Sequence, residues 1–158
     1  MRPRIAHASL VLGLAALLAA CGGPVRRVSE PAAQIQQLTV RADGRWDVDV
    51  RLQNYSSIPM RFDALRLALG VGGETAGELR ATPALTVGPE SADVVSLQLA
   101  PSAAAKLVVA DALAARRSVA YTLSGDVTAT PDAASQRSFE IERNSALTPA
   151  PGLPGVLR

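Results

Sequence analysis

Trp46-Asp47-Val48-Asp49-Val50-Arg51-Leu52-Gln53 alternates apolar and polar side chains without interruption. Side chains of a strand point alternately to its two faces, so this period of two sends Trp46, Val48, Val50 and Leu52 into a core. It leaves Asp47, Asp49, Arg51 and Gln53 in water. A strand of this kind needs a pairing partner and a second layer to cover its apolar face. Upstream, Gln34 to Val40 reads as another strand, and Ala42-Asp43-Gly44 supplies the turn that makes the two an antiparallel hairpin.

The same period continues downstream. Pro59 to Val71 reads as extended, but Phe62 and the set Leu65, Leu67, Leu69 fall on opposite parities. One extra residue near Asp63-Ala64 restores the facing, which predicts a bulge there. Gly72-Gly73 makes a tight hairpin tip, because both central positions of a primed turn require positive φ. Glu74 to Arg80 returns as a strand. Ala84 to Val87 precedes a turn at Gly88-Pro89-Glu90-Ser91, and Asp93 to Leu99 resumes the alternation. Pro101 to Ala115 is read as the one helix, with Pro and Ser at its start and Arg116-Arg117 at its end, where positive charge suits the macrodipole. Only Lys106 and Asp111 are polar inside it, so it is expected to lie largely against the domain. Ser118 to Thr128 and Gln136 to Arg143 are the last strands, turned at Pro131-Asp132-Ala133. The class is therefore mostly β: an antiparallel immunoglobulin/fibronectin-like β-sandwich of seven or eight strands with one short helix, spanning residues 32–143.

The ends read differently from the middle. Arg2 and Arg4 open the chain, an uncharged apolar stretch runs from Ala8 to Ala20, and small residues close it, which is the plan of a secretory signal. The stretch is shorter than the roughly 20 apolar residues a helix needs to cross a bilayer. Its exit, Leu18-Ala19-Ala20-Cys21, resembles the lipobox of bacterial lipoproteins, in which Leu18, Ala19 and Ala20 are recognised by the signal peptidase. The resemblance implies that Cys21 is lipidated on sulfur and, after cleavage, on its new amine. At about 0.8 kcal/mol per buried methylene, two or more chains hold a protein firmly on a membrane. Gly22 follows in place of Asp, which by analogy with Gram-negative sorting points to the periplasmic face of the outer membrane. Residues 1–20 are thus expected to be a lipoprotein signal peptide and residues 21–31 a lipid-anchored tether. Pro149, Pro151, Gly152, Pro154 and Gly155 predict that residues 144–158 form a Pro-rich disordered tail.

Taking Arg2 and Arg4 from the 16 basic side chains leaves 14, equal to the 14 acidic ones. A nearly neutral mature chain lacks the clustered basic face of a nucleic-acid binder; only Arg26-Arg27 and Arg116-Arg117 come close, and each reads as a solvated surface feature. The single His is His7 in the signal and the single Cys is Cys21. The domain thus has no imidazole base, no nucleophilic thiol and no soft metal ligand. A Ser nucleophile would need Lys106 or a carboxylate as base, and no Gly-x-Ser-x-Gly elbow is present. Asp47 and Asp49 share one strand face, where Arg51 softens their repulsion; they read as a solvated face in preference to a cation site. Gly70-Val71-Gly72-Gly73 lacks the following Lys and helix of a phosphate loop. No cofactor, metal or small-molecule substrate is implied, and the chain is not read as an enzyme.

Three stretches carry a family resemblance: Val50-Arg51-Leu52-Gln53-Asn54-Tyr55-Ser56-Ser57-Ile58-Pro59-Met60, the hairpin Leu67 to Gly77, and Tyr121-Thr122-Leu123-Ser124-Gly125-Asp126-Val127. Together they resemble the late embryogenesis abundant type 2 family, including its water stress and hypersensitive response domain, over Pro31 to Arg143. That family often has Asn-Pro-Asn at the first place, where this chain keeps Asn54 and continues Tyr55-Ser56. Asn54 also has a local explanation, since Asn tolerates left-handed backbone and bonds its side chain to nearby main chain at a strand end. The resemblance implies a small antiparallel sandwich with one helix, no catalytic residues, and a link to desiccation tolerance. The expected function is that of a lipid-anchored periplasmic interaction or stress-protective protein. The alternative is an accessory lipoprotein of an envelope assembly or transport complex, with an envelope protein docking on an edge strand or the tail.

Overall fold

In a computed structural model, which describes residues 26–158, the alternating stretch is strand β2 (Trp46–Gln53). It pairs antiparallel with β1 (Ala32–Val40) on one side and with β6 (Ala92–Leu99) on the other. A short strand β9 (Val156–Leu157) completes this sheet in the order β6-β2-β1-β9. The facing sheet is β4-β3-β7-β8, built from β3 (Met60–Val71), β4 (Glu74–Ala81), β7 (Val119–Pro131) and β8 (Arg137–Leu147), and β5 (Leu85–Val87) pairs with the start of β3. Two antiparallel sheets, nine strands and one helix among the described residues make the expected sandwich. Trp46, Val48, Val50 and Leu52 are all buried, opposite Phe62, Leu67, Leu69 and Leu123 of the other sheet. Each such burial is worth about 1.5–3 kcal/mol, so the interface between the sheets is the main source of stability.

Two bulges keep the apolar faces turned inward. The β3–β7 register slips between Phe62 and Ala64, so Asp63 is the extra residue and both Phe62 and Leu65 point to the core. The β1–β2 register slips between Ile35 and Gln37, which brings Ile35 and Leu38 to the same face although they are three apart in sequence. Tyr121 spans the core from the other sheet, and its hydroxyl accepts a hydrogen bond from the Ile35 N–H at 3.2 Å. A donor at the bulge thus finds a partner inside the sandwich. At Gly72 and Gly73, φ is 58° and 88°, the conformation of the tight primed turn. Gly125 serves another purpose: a Cβ there would lie 2.2 Å from the Arg66 carbonyl oxygen of β3.

Three expectations are corrected. Residues 144–158 are ordered. β8 runs on to Leu147, Thr148 and Arg158 exchange backbone hydrogen bonds, and β9 pairs Leu38 with Leu157 and Thr39 with Val156. The prolines lie in the loop between, where no ladder N–H is required, and Leu157 is fully buried. The proposed tether, residues 21–31, is held to the domain from Arg26 onward. The helix, α1 (Ala103–Ala114), does not lie largely against the sandwich: it buries only the stripe Ala105, Val109 and Ala112, and Leu107 is 72% exposed. Ser102 caps it by accepting from the Ala105 N–H at 3.1 Å. Arg116 and Arg117 lie past its last turn. The signal peptide, Leu18, Ala19, Ala20, Cys21 and His7 all lie outside the described residues.

Candidate functional site

A sandwich is open at its two ends, where strands turn and the core would meet water. At one end, the loop end, β2 stops at Gln53 and the chain crosses to β3 through Asn54 to Pro59. Asn54 and Ser56 are both fully buried there. The Asn54 amide nitrogen donates to the carbonyls of Ile58 at 2.9 Å, Gly88 at 2.9 Å and Val87 at 3.2 Å, and its oxygen accepts the Ser56 N–H at 2.8 Å. One side chain therefore satisfies the main chain of its own loop and of the β5–β6 turn. Among the described residues no buried side-chain nitrogen or oxygen lacks a partner. Asn54 is not in the left-handed region; its part is played by the side chain.

The same loop holds the N-terminal segment. Ser56 accepts the Ser29 N–H at 3.0 Å, Ser57 accepts the Arg27 N–H at 2.8 Å, and the Ser57 N–H donates to the Arg27 carbonyl at 3.0 Å. The Arg27 guanidinium reaches Glu90 at 3.2 Å, and Arg26 lies 3.4 Å from the Asp132 carboxylate while donating to the Asp132 carbonyl at 2.8 Å. These exposed ion pairs contribute less than about 1 kcal/mol each, so it is the main-chain bonds that fix the segment. The Tyr55 carbonyl accepts from the Arg27 guanidinium at 3.3 Å, while its side chain projects outward: the residue is 52% exposed, the one large exposed hydrophobic residue of the loop end among the described residues.

Beside the bulge, Asp63 accepts from Thr130 at 2.6 Å and from Gln136 at 3.0 Å, and it lies 3.3 Å from Arg61. These bonds, the one from Thr130 first, and the Arg61 charge hold its carboxyl below the ordinary aspartate range against a smaller opposing effect of burial.

The opposite end, the helix end, is closed by apolar packing. Helix α1 lies over the β3–β4 tip, where a Cβ on Gly72 would come within 2.5 Å of Val108. Leu113, Ala114 and Arg116 form one wall of a groove of about 940 Å³, and Thr148 to Gly155 form the other. Leu153 on its rim is 46% exposed.

The residues singled out by sequence are used separately. Asp47 pairs with Arg41 at 3.1 Å, while Asp49 accepts from Ser96 at 2.6 Å, so the two acids do not converge. Among the described residues no three His, Cys, Asp or Glu side chains are grouped to hold a metal ion. Lys106 faces the β1–β2 turn at Gly44, and Ser102, near it in sequence, is occupied as the helix cap. Arg117 pairs with Asp111, Arg26 with Asp132 and Arg27 with Glu90, so three of these four arginines are engaged in ion pairs. Sequence reasoning missed the clamp on Arg27 and Ser29, because polar residues met across thirty positions leave no periodic signal.

No family model matches the chain, and no curated protein matches it. Solved structures do. A protein from Archaeoglobus fulgidus is similar over 78% of this chain and 98% of its own, at 16% identity and a TM-score of 0.43. The solution structure of an Arabidopsis thaliana protein covers 83% of this chain and 85% of that one, at 13% identity and a TM-score of 0.48. A protein provisionally named late embryogenesis abundant covers 94% and 86%, at 15% identity and a TM-score of 0.48.

Proposed function

We propose that this chain is a lipid-anchored, non-enzymatic protein of the bacterial envelope, acylated at Cys21 and displaying its sandwich on the periplasmic face of the outer membrane. The observation that carries the reading is the sequence Leu18-Ala19-Ala20-Cys21, placed five residues ahead of Arg26, the first described residue, which is bonded to the domain. The anchor uses the only thiol, and the only imidazole lies in the part removed with the signal. The resemblance to the late embryogenesis abundant type 2 pattern gives the sandwich a protective task under drying or envelope stress.

The test is expression in a Gram-negative host followed by mass measurement of the N-terminal peptide. An acylated Cys21 is expected, with Cys21→Ala leaving the membrane fraction. Deleting the gene should then lower survival of drying; unchanged survival with an acylated chain would remove the protective task. The groove at the helix end, with Leu153 on its rim and Leu107 nearby on the helix, favours a second reading as an accessory subunit of an envelope complex. Recovery of one stoichiometric partner by crosslinking, lost on Leu153→Asp, would select that reading.

A further inference from the structure

The anchor and the clamp together fix more than attachment. A chain of n residues spans at most about 3.6 Å per residue, so five residues from Cys21 to Arg26 reach no farther than about 18 Å. Arg26 is not at an arbitrary place on the surface. It is bonded to the β7–β8 turn at Asp132, and Arg27 and Ser29 are bonded to Ser57 and Ser56 of the β2–β3 loop. The attachment point is therefore the loop end. β3 runs from Met60 at that end to Val71 beside the helix, a length of about 36 Å at the rise of a strand. The helix end lies farther from Cys21 than the tether can compensate.

The loop end also suits a lipid surface chemically. Its arginines Arg26, Arg27 and Arg61 are matched within the domain by Asp132, Glu90 and Asp63, which leaves Glu30 and Asp93, among the described residues, as the acids of this end without an ion pair. Tyr55 projects from it, and tyrosine, with an apolar ring and a polar hydroxyl, is a side chain enriched at membrane interfaces.

We infer that the loop end is a bilayer-facing surface, with Tyr55 in the headgroup region, and that the helix end with its groove is held away from the membrane toward the periplasm. This rests on the anchoring at Cys21 proposed above. It adds an orientation that anchoring alone does not require, since a domain on a loose tether would show every face to the lipid equally.

The test uses the full acylated chain, whose single natural cysteine is blocked by lipid, so an introduced cysteine is the only one to take a label. Tyr55→Cys and Ala134→Cys mark the loop end, and Leu107→Cys marks the helix; all three positions are exposed, and substitution there leaves the core untouched. Each labelled protein is placed in vesicles of phosphatidylethanolamine and phosphatidylglycerol carrying a quencher on the lipid chains. Several-fold stronger quenching at positions 55 and 134 than at 107 is expected. Equal quenching at the three, or the strongest at 107, overturns the orientation. The mass of the N-terminal peptide is read on the same samples: an unmodified Cys21 overturns the anchor and the orientation together, whereas equal quenching on an acylated chain overturns the orientation alone.

Discussion

The two ends of the sandwich solve one problem by opposite means. At the loop end the crossing from β2 to β3 buries polar main chain, and a single amide, Asn54, bonds three carbonyls and one N–H. At the helix end the core is covered by an apolar stripe of Ala105, Val109 and Ala112. A polar closure depends on a few directional bonds and fails when one partner is removed, because what remains is buried and unpaired. An apolar closure spreads its energy over many contacts and degrades by degrees. The loop end is also the end that holds the N-terminal segment, so damage there is expected to reach the attachment of the domain as well as its stability.

Asn54→Ala tests this contrast hardest. It leaves the carbonyls of Ile58, Val87 and Gly88 and the Ser56 N–H without their side-chain partner. Since each unsatisfied buried group costs about 1–3 kcal/mol, a loss of about 3 kcal/mol or more is expected, read from the urea midpoint. Protease cleavage near Ser29 should rise in the same variant, as the loop that clamps it loosens. A loss below 1 kcal/mol on the scale of an ordinary surface change would mean that water replaces the amide and that the closure is not directional.

Val109→Ala is the matching change at the helix end. Val109 is buried against the sandwich, and deleting its methyl groups should cost about 2 kcal/mol from lost transfer energy and a small cavity. The urea midpoint should fall while cleavage near Ser29 stays at the wild-type level, since the clamp lies at the other end. Raised cleavage there would show that the two ends are coupled through the sheets.

Asp63 gives the loop end a pH dependence. Its folded carboxyl sits below its unfolded value, mainly through the bond from Thr130, so between the two values the unfolded chain binds more protons. The associated stability is fully present above the ordinary aspartate range and is lost as pH falls through the lowered folded value. Asp63→Asn should cost about 1 kcal/mol at neutral pH, the scale of one ordinary hydrogen bond, because the Asn oxygen still accepts from Thr130 and Gln136 but carries no charge. It should also flatten the acid side of the stability profile in urea unfolding measured at stepped pH. An unchanged acid slope would assign that slope to other carboxylates.

How much of this was legible follows from which signals are periodic. The bulge at Asp63 could be read because Phe62 and Leu65 are both apolar on opposite parities, and the structure puts the extra residue there. The bulge in β1 carries the same signal in Ile35 and Leu38, but a strand taken to begin at Gln34 is too short to display a change of parity. Asn54 was recognisable as a strand terminator, although left-handed backbone was the wrong half of the explanation. β9 was hidden because only Val156 and Leu157 form it, among prolines and glycines that read as breakers, and its partner Leu38 is remote in sequence. The clamp and Tyr55 were hidden for a related reason: they depend on which loops meet in space, and local alternation says nothing of that.

The smallest expected effect lies in the turn that ends α1. Arg116 has φ of 52°, while its N–H bonds the Leu113 carbonyl at 3.3 Å and the Arg117 N–H bonds the Ala112 carbonyl at 3.0 Å. These two bonds make the C-terminal motif that usually carries Gly at this position. A side chain held there costs about 1 kcal/mol or more, partly offset on substitution because Gly gains freedom in the unfolded chain. Arg116→Gly should therefore stabilise the helix end by about 0.5–1 kcal/mol, which for a domain of this size raises Tm by about 2–4 °C. Arg116→Ala separates backbone from charge: it removes the guanidinium but keeps the Cβ, so it should show no comparable gain. Equal gains from Gly and Ala would assign the effect to the charge beside the groove and leave the backbone of this turn unstrained.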